Sequence, residues 1–134
     1  MSDFTLHPRL VTDTAFVANW ALSRVQLMND RRYPWLILVP RRPNLSEFFD
    51  LSRSDRALLM EELARAAKCL KEISGATKIN VGALGNQVPQ LHVHVVARRP
   101  GDPAWPGPVW GHSPAVPYHS AQREVVTAQF LSAC

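Results

Sequence analysis

Cysteine is scarce in this chain: only Cys69 and Cys134 occur in 134 residues. Two cysteines so placed, one of them at the last position, supply neither a disulfide framework nor a Cys-based zinc motif. Cys69, inside a helix-like stretch, reads as a small packing residue. Long apolar runs are missing as well. None approaches the roughly 18 to 20 residues that a membrane span needs. The opening "MSDFTLHPRL" lacks the apolar core of a signal peptide. The expectation is a cytoplasmic protein with no membrane contact. Charge of one sign is not in marked excess, and a net charge of +4 is too modest to argue for nucleic-acid binding. Repeats and low-complexity blocks are also lacking.

What is present is an ordinary globular balance, 46% hydrophobic and 19% charged, enough for one core. Residues 1–134 read as a single domain, with a core over about 20–100 and a C-terminal extension over 101–134. "ALSRVQLMN" (21–29) alternates like a strand, and "WLILVP" (35–40) reads as a short buried one. From Ser52 to Ser74 the period changes. Leu59, Leu63, Ala66, Ala67, Leu70 and Ile73 recur at three- and four-residue steps, which predicts an amphipathic helix. Ser52 with Asp55 suits its start, and Gly75 its end. "TKINVGAL" (77–84) reads as a further strand, "GNQVP" (85–89) as a loop, and 120–134 as a short terminal helix. Between them "GDPAWPGPVWGHSPAVP" is too rich in proline for a helix or central strand, so it must lie over something. The fold class is therefore α+β: an antiparallel sheet with one long helix and a Pro/Trp-rich C-terminal segment.

The chemistry concentrates in "QLHVHVVARR" (90–99). Alternation along a strand puts Gln90, His92 and His94 on one face. Such a pair of histidines has three readings. They are half-exposed polar positions, or two ligands of a metal, or they include a nucleophile. The metal reading needs a third ligand to fold back, and the candidates are Asp102, in the proline-rich segment, and, farther along the chain, His112 and His119. A nucleophilic imidazole needs its other ring nitrogen pinned by an acceptor, and donors around the phosphate it attacks. The loop just upstream offers Gly85, Asn86 and Gln87, whose amides can cradle an anion. The pairs Arg31–Arg32, Arg41–Arg42 and Arg98–Arg99 are solvated strand ends or a basic rim for a phosphorylated ligand.

These residues resemble the signature of the histidine triad (HIT) family, His-φ-His-φ-His-φ-φ with φ apolar. Gln90 stands at the first triad position, His92 at the second and His94 at the third. "NVGALGNQVPQLHVHVVAR" is similar to the family's Asn-x-Gly segment, phosphate loop and histidine strand. "LMND … YPWLILVPRR" is similar to its nucleotide strand and the strand that follows. The resemblance spans about residues 20–100. It implies that His92 is the nucleophile, that the His94 backbone carbonyl helps orient it, and that the His94 side chain lies near the phosphate. Gln90 would be a supporting group in place of an imidazole. Gly85, Asn86 and Gln87 would contact phosphate, Asn80 a phosphate oxygen or the loop backbone, and Asn29 or Asp30 the ribose. Trp105 and Trp110 would cover base or leaving group, or pack on a partner subunit. The implied activity is cleavage at the α-phosphate of a purine nucleotide derivative, a phosphoramidate or dinucleoside polyphosphate, through a nucleotidyl-histidine. It implies no protein-held metal or cofactor, with Mg²⁺ arriving on the substrate if at all. A homodimer is implied, and nucleic acid is not an expected partner. The alternative is a non-catalytic nucleotide-binding or regulatory module on the same fold.

Overall fold

Burial, more than alternation, explains the middle of the sheet. Every residue of "WLILVP" and of "VHVVAR" is buried, which is why both read as nearly continuous apolar runs. They form β3 (Trp35–Pro40) and β5 (Val93–Arg98) of a computed structural model that describes residues 4–134. The first three residues, part of the leader reading, lie outside it. The other strands are β1 (Thr14–Asn19), β2 (Ser23–Met28) and β4 (Lys78–Gly82). All neighbours are antiparallel, in the order β1-β2-β3-β5-β4. Among the described residues there are three α-helices, α1 (Pro8–Asp13), α2 (Arg53–Ser74) and α3 (Ser120–Ala133), with a single 3-10 turn at Phe48–Asp50.

The long helix forms where its periodicity places it. Ser52 Oγ accepts from the Asp55 amide at 3.1 Å, and Gly75 closes the helix with φ of 67°. Its Ala66 and Leu70 pack with Val25, Leu27, Leu36, Leu38 and Val95 on one face of the sheet, joined by Phe130 of α3. Buried Glu62 accepts the Leu22 and Ser23 amides at 2.9 and 3.0 Å, fastening the β1–β2 turn to α2.

The opposite face is covered differently. Trp35, Ile37, Val39 and Val96 pack under Leu6 and Leu10 from the N-terminal stretch and Ala104 and Val109 from the proline-rich segment. That segment is laced to the β2–β3 turn. Arg31 N donates to Val116 O at 2.8 Å, and Tyr118 N donates to Asn29 Oδ1 at 3.0 Å.

Three readings of the sequence change. β1 was not expected, because its register shifts between Phe16 and Ala18 and the bulge breaks the period of two. The histidine strand begins at Val93, leaving His92 on the irregular approach to it. Cys69 and Cys134 are joined in a disulfide, across 65 residues of sequence. No spacing motif announces such a pair; tertiary contacts bring α2 to the end of α3, where Arg65 also donates to the Cys134 carbonyl at 2.7 Å. A compartment argued from cysteine content loses that support. No helix among the described residues is long and apolar enough to cross a membrane.

Candidate active site

His92 and His94 are both buried, and their rings meet edge to face with centroids 5.1 Å apart. Each ring is held by a different partner. His92 Nδ1 lies 2.7 Å from the main-chain carbonyl of Gln90. A carbonyl only accepts, so Nδ1 carries a proton, and in the neutral ring Nε2 carries the lone pair. His94 Nδ1 lies 3.0 Å from Trp35 Nε1. An indole N–H only donates, so here Nδ1 has the lone pair and Nε2 the proton. Neither Nε2 has a hydrogen-bond partner among the described residues. One ring thus offers a lone pair and the other an N–H, and both line the same cavity. Burial pushes the His94 pKa down to about 3, with the neighbouring His92 adding to the shift. His94 is neutral at any physiological pH.

Both rings line a cavity of about 390 Å³, a volume within the range of small-molecule sites. One wall is the loop from Leu84 to Val88, in which Gly85 has φ of 74°. That left-handed conformation suits glycine. A second wall is apolar, from Leu10, Met28, Trp35, Ile37 and Val109. The third is Trp110, whose ring centroid stands 5.6 Å from that of His94 and whose six-membered ring lies against Gly82 of β4. A Cβ on Gly82 would meet the Trp110 ring at 3.0 Å, a tight contact that the indole would have to yield to. Trp110 Nε1 is buried with no acceptor among the described residues, and Trp110 lines the cavity. No three His, Cys, Asp or Glu side chains gather as a metal site among the described residues.

The HIT domain model matches residues 9–101, more than half of the chain. The chain belongs to the HIT family. Solved HIT proteins resemble it over nearly their whole length. A histidine triad protein from Sinorhizobium meliloti 1021 is 48% identical, with 98% of each chain covered and a TM-score of 0.95. One from Bradyrhizobium japonicum is 44% identical, covering 97% of each chain at a TM-score of 0.93. One from Marinobacter aquaeolei VT8 is 45% identical, covering 96% of each at 0.92. A comparison with curated proteins gave no match.

Within this HIT chain, several residues sit elsewhere than the sequence suggested. The carbonyl that orients His92 belongs to Gln90, not His94, because the turn before β5 folds it back onto the ring. The Gln90 side chain does not line the cavity. Its Oε1 accepts from His7 N and its Nε2 donates to Thr5 O, both at 2.8 Å, so it holds the N-terminal stretch. Asn80 accepts from buried Arg98 at 2.9 Å and lies away from the cavity. Arg98 also grips Asp102, holding that carboxyl below the usual carboxylate range. Trp105 sits beside Arg98, 5.8 Å from its guanidinium, and outside the cavity; Trp110 is the tryptophan that lines it. Asn29 is spent on Tyr118, and of the two ribose candidates only Asp30 lines the cavity. Asp30 is itself paired with Arg32 through contacts of 3.0 and 2.9 Å. Gly85, Asn86 and Gln87 all line the cavity. Trp35 was missed as a site residue. In "WLILVP" it looks like one more core position, and only the strand register shows what its N–H meets.

Proposed function

We propose that this HIT protein is a nucleotide hydrolase or transferase. Its substrate would be a purine nucleotide derivative, a phosphoramidate or dinucleoside polyphosphate, cleaved at the α-phosphorus through a nucleotidyl-His92 intermediate. One observation carries the reading: the Nδ1 proton of His92 is committed to the Gln90 carbonyl, which frees the Nε2 lone pair beside the loop of Gly85, Asn86 and Gln87.

Nε2 would bond to the α-phosphorus as the bond to the leaving group breaks. The electron pair departs with the leaving atom, which takes a proton from solvent. The adduct keeps its Nδ1 proton, and the Gln90 carbonyl faces the resulting positive charge. Loop amides and the His94 Nε2–H would donate to the phosphoryl oxygens, where negative charge builds. Water then bonds to phosphorus, frees Nε2 and releases the nucleoside monophosphate. The apolar wall is a slot suited to the base, and Asp30 is the acid placed for ribose. A polyphosphate substrate would bring its own Mg²⁺. Assembly as a homodimer belongs to the same proposal.

Intact-mass spectrometry after mixing with an adenosine phosphoramidate tests the chemistry. The parent should gain one adenylyl group and His92→Ala none. Gln90→Ala should still form the adduct, with turnover reduced by no more than about tenfold, since the orienting group is a main-chain carbonyl. Undiminished turnover by His92→Ala would refute the covalent route. Tight adenylate binding with no adduct from any substrate would instead favour the non-catalytic module.

A further inference from the structure

The hydrogen bond between Trp35 and His94 has a consequence beyond packing. Trp35 lies on β3 opposite Val96, and Ile37 lies opposite His94, so the indole is the diagonal neighbour of the imidazole on the same face. Trp35 is only 5% exposed and is held between Tyr33 and Trp110, with ring centroids at 6.2 and 6.5 Å. Its N–H donates to His94 Nδ1 at 3.0 Å.

We propose that Trp35 is a positioning residue for the phosphoryl-transfer step: its indole N–H locks His94 in the Nε2–H tautomer, so that a neutral donor faces the phosphoryl group beside the His92 nucleophile. The inference rests on the function proposed above. Without the indole N–H, His94 is free to carry its proton on Nδ1. Its Nε2 lone pair would then stand next to the Nε2 lone pair of His92 and face the phosphoryl oxygens, an arrangement that repels the substrate's charge. The same bond opposes protonation, since an imidazolium would set an Nδ1–H against the indole N–H. Among the described residues, His92 is the titratable group whose charge acts on His94. β3 contributes Trp35, β4 contributes Gly82 and the C-terminal segment contributes Trp110, leaving His92 as the ionisable neighbour. Phenylalanine cannot replace this function, because it supplies the ring and the burial without the donor.

The test pairs NMR with kinetics on the full chain labelled with ¹⁵N-histidine, as parent and as Trp35→Phe. In the parent, long-range ¹H–¹⁵N correlations should show His94 Nδ1 unprotonated and Nε2 protonated from pH 5 to 8. In Trp35→Phe the two tautomers should mix, and kcat for adenosine phosphoramidate should fall about tenfold to a hundredfold with KM nearly unchanged. Should Trp35→Phe fail to fold, benzothienylalanine at position 35 replaces the N–H by sulfur within nearly the same outline. A variant that keeps the parent's tautomer overturns the inference whatever its rate, because a rate loss would then be structural. A shifted tautomer with undiminished kcat also overturns it. If the parent forms no His92 adduct, the functional reading fails, and the tautomer measurement alone decides the role of Trp35.

Discussion

Two histidines, two residues apart, hold opposite protonation patterns because their neighbours differ. A carbonyl faces His92 Nδ1 and an indole N–H faces His94 Nδ1. His94 also carries an energetic consequence. Its pKa is lowered from 6.5 to about 3 in the folded chain, chiefly by burial. Between those values the unfolded chain binds a proton that the folded chain refuses, so stability is full above pH 6.5 and falls as the pH drops toward 3. The slope approaches about 1.4 kcal/mol per pH unit. From pH 7 to pH 5 this one group should remove about 2 kcal/mol. Urea unfolding of the parent and of His94→Gln at the two pH values measures it. The parent should lose about 2 kcal/mol more than the variant over that interval, and equal losses would show that His94 titrates normally.

Elements far apart in sequence hold the site together. The turn that carries Asn29, Asp30 and Arg32 is bound to residues 113–118, with Arg32 Nη1 donating to Ser113 Oγ at 2.6 Å and Nη2 to Pro114 O at 3.0 Å. The residues expected to meet ribose therefore also fix the segment that brings Trp110 over β4. Beyond that segment, α3 is tied back to α2 through Cys69 and Cys134, whose Cα atoms are 5.7 Å apart. Closing a loop of this length restricts the unfolded chain, and removing the link should cost about 2 to 4 kcal/mol. Cys134→Ser should unfold at correspondingly lower urea than the parent without reductant. Dithiothreitol should lower the parent to the level of the variant and leave the variant unmoved. Matching midpoints without reductant would mean that the link contributes nothing to stability.

At the scale of the whole molecule, the sheet divides the labour. One face meets α2 and α3 and forms the larger core; the other meets the N-terminal stretch and the proline-rich segment and carries the cavity. The strand order leaves β4 at an edge, with Val81 half exposed, and Phe49 is 77% exposed. An open edge and exposed apolar side chains favour association with a second copy. Light scattering at micromolar concentration should give twice the chain mass of 15.0 kDa. A clean monomer would remove the homodimer from the proposal.

The sequence by itself determined whatever depends on neighbours along the chain. The period of α2, its Ser52 start and its Gly75 stop are local, as is the buried run of β3, and all formed where the pattern placed them. The histidine signature and its loop are equally local, so the family and the cavity wall at Gly85, Asn86 and Gln87 were legible in order. Partners across the fold were not. Whether Gln90 turns toward phosphate or toward His7, whether Asn80 serves a ligand or Arg98, and whether Cys69 stays alone all depend on which distant atoms arrive beside them. A hydrogen bond is directional and of short reach, so pairing follows the register of the strands and the path of the C-terminal segment. Trp35 illustrates the division. Sequence placed it in a buried strand, and only the pairing of β3 with β5 aimed its N–H at His94.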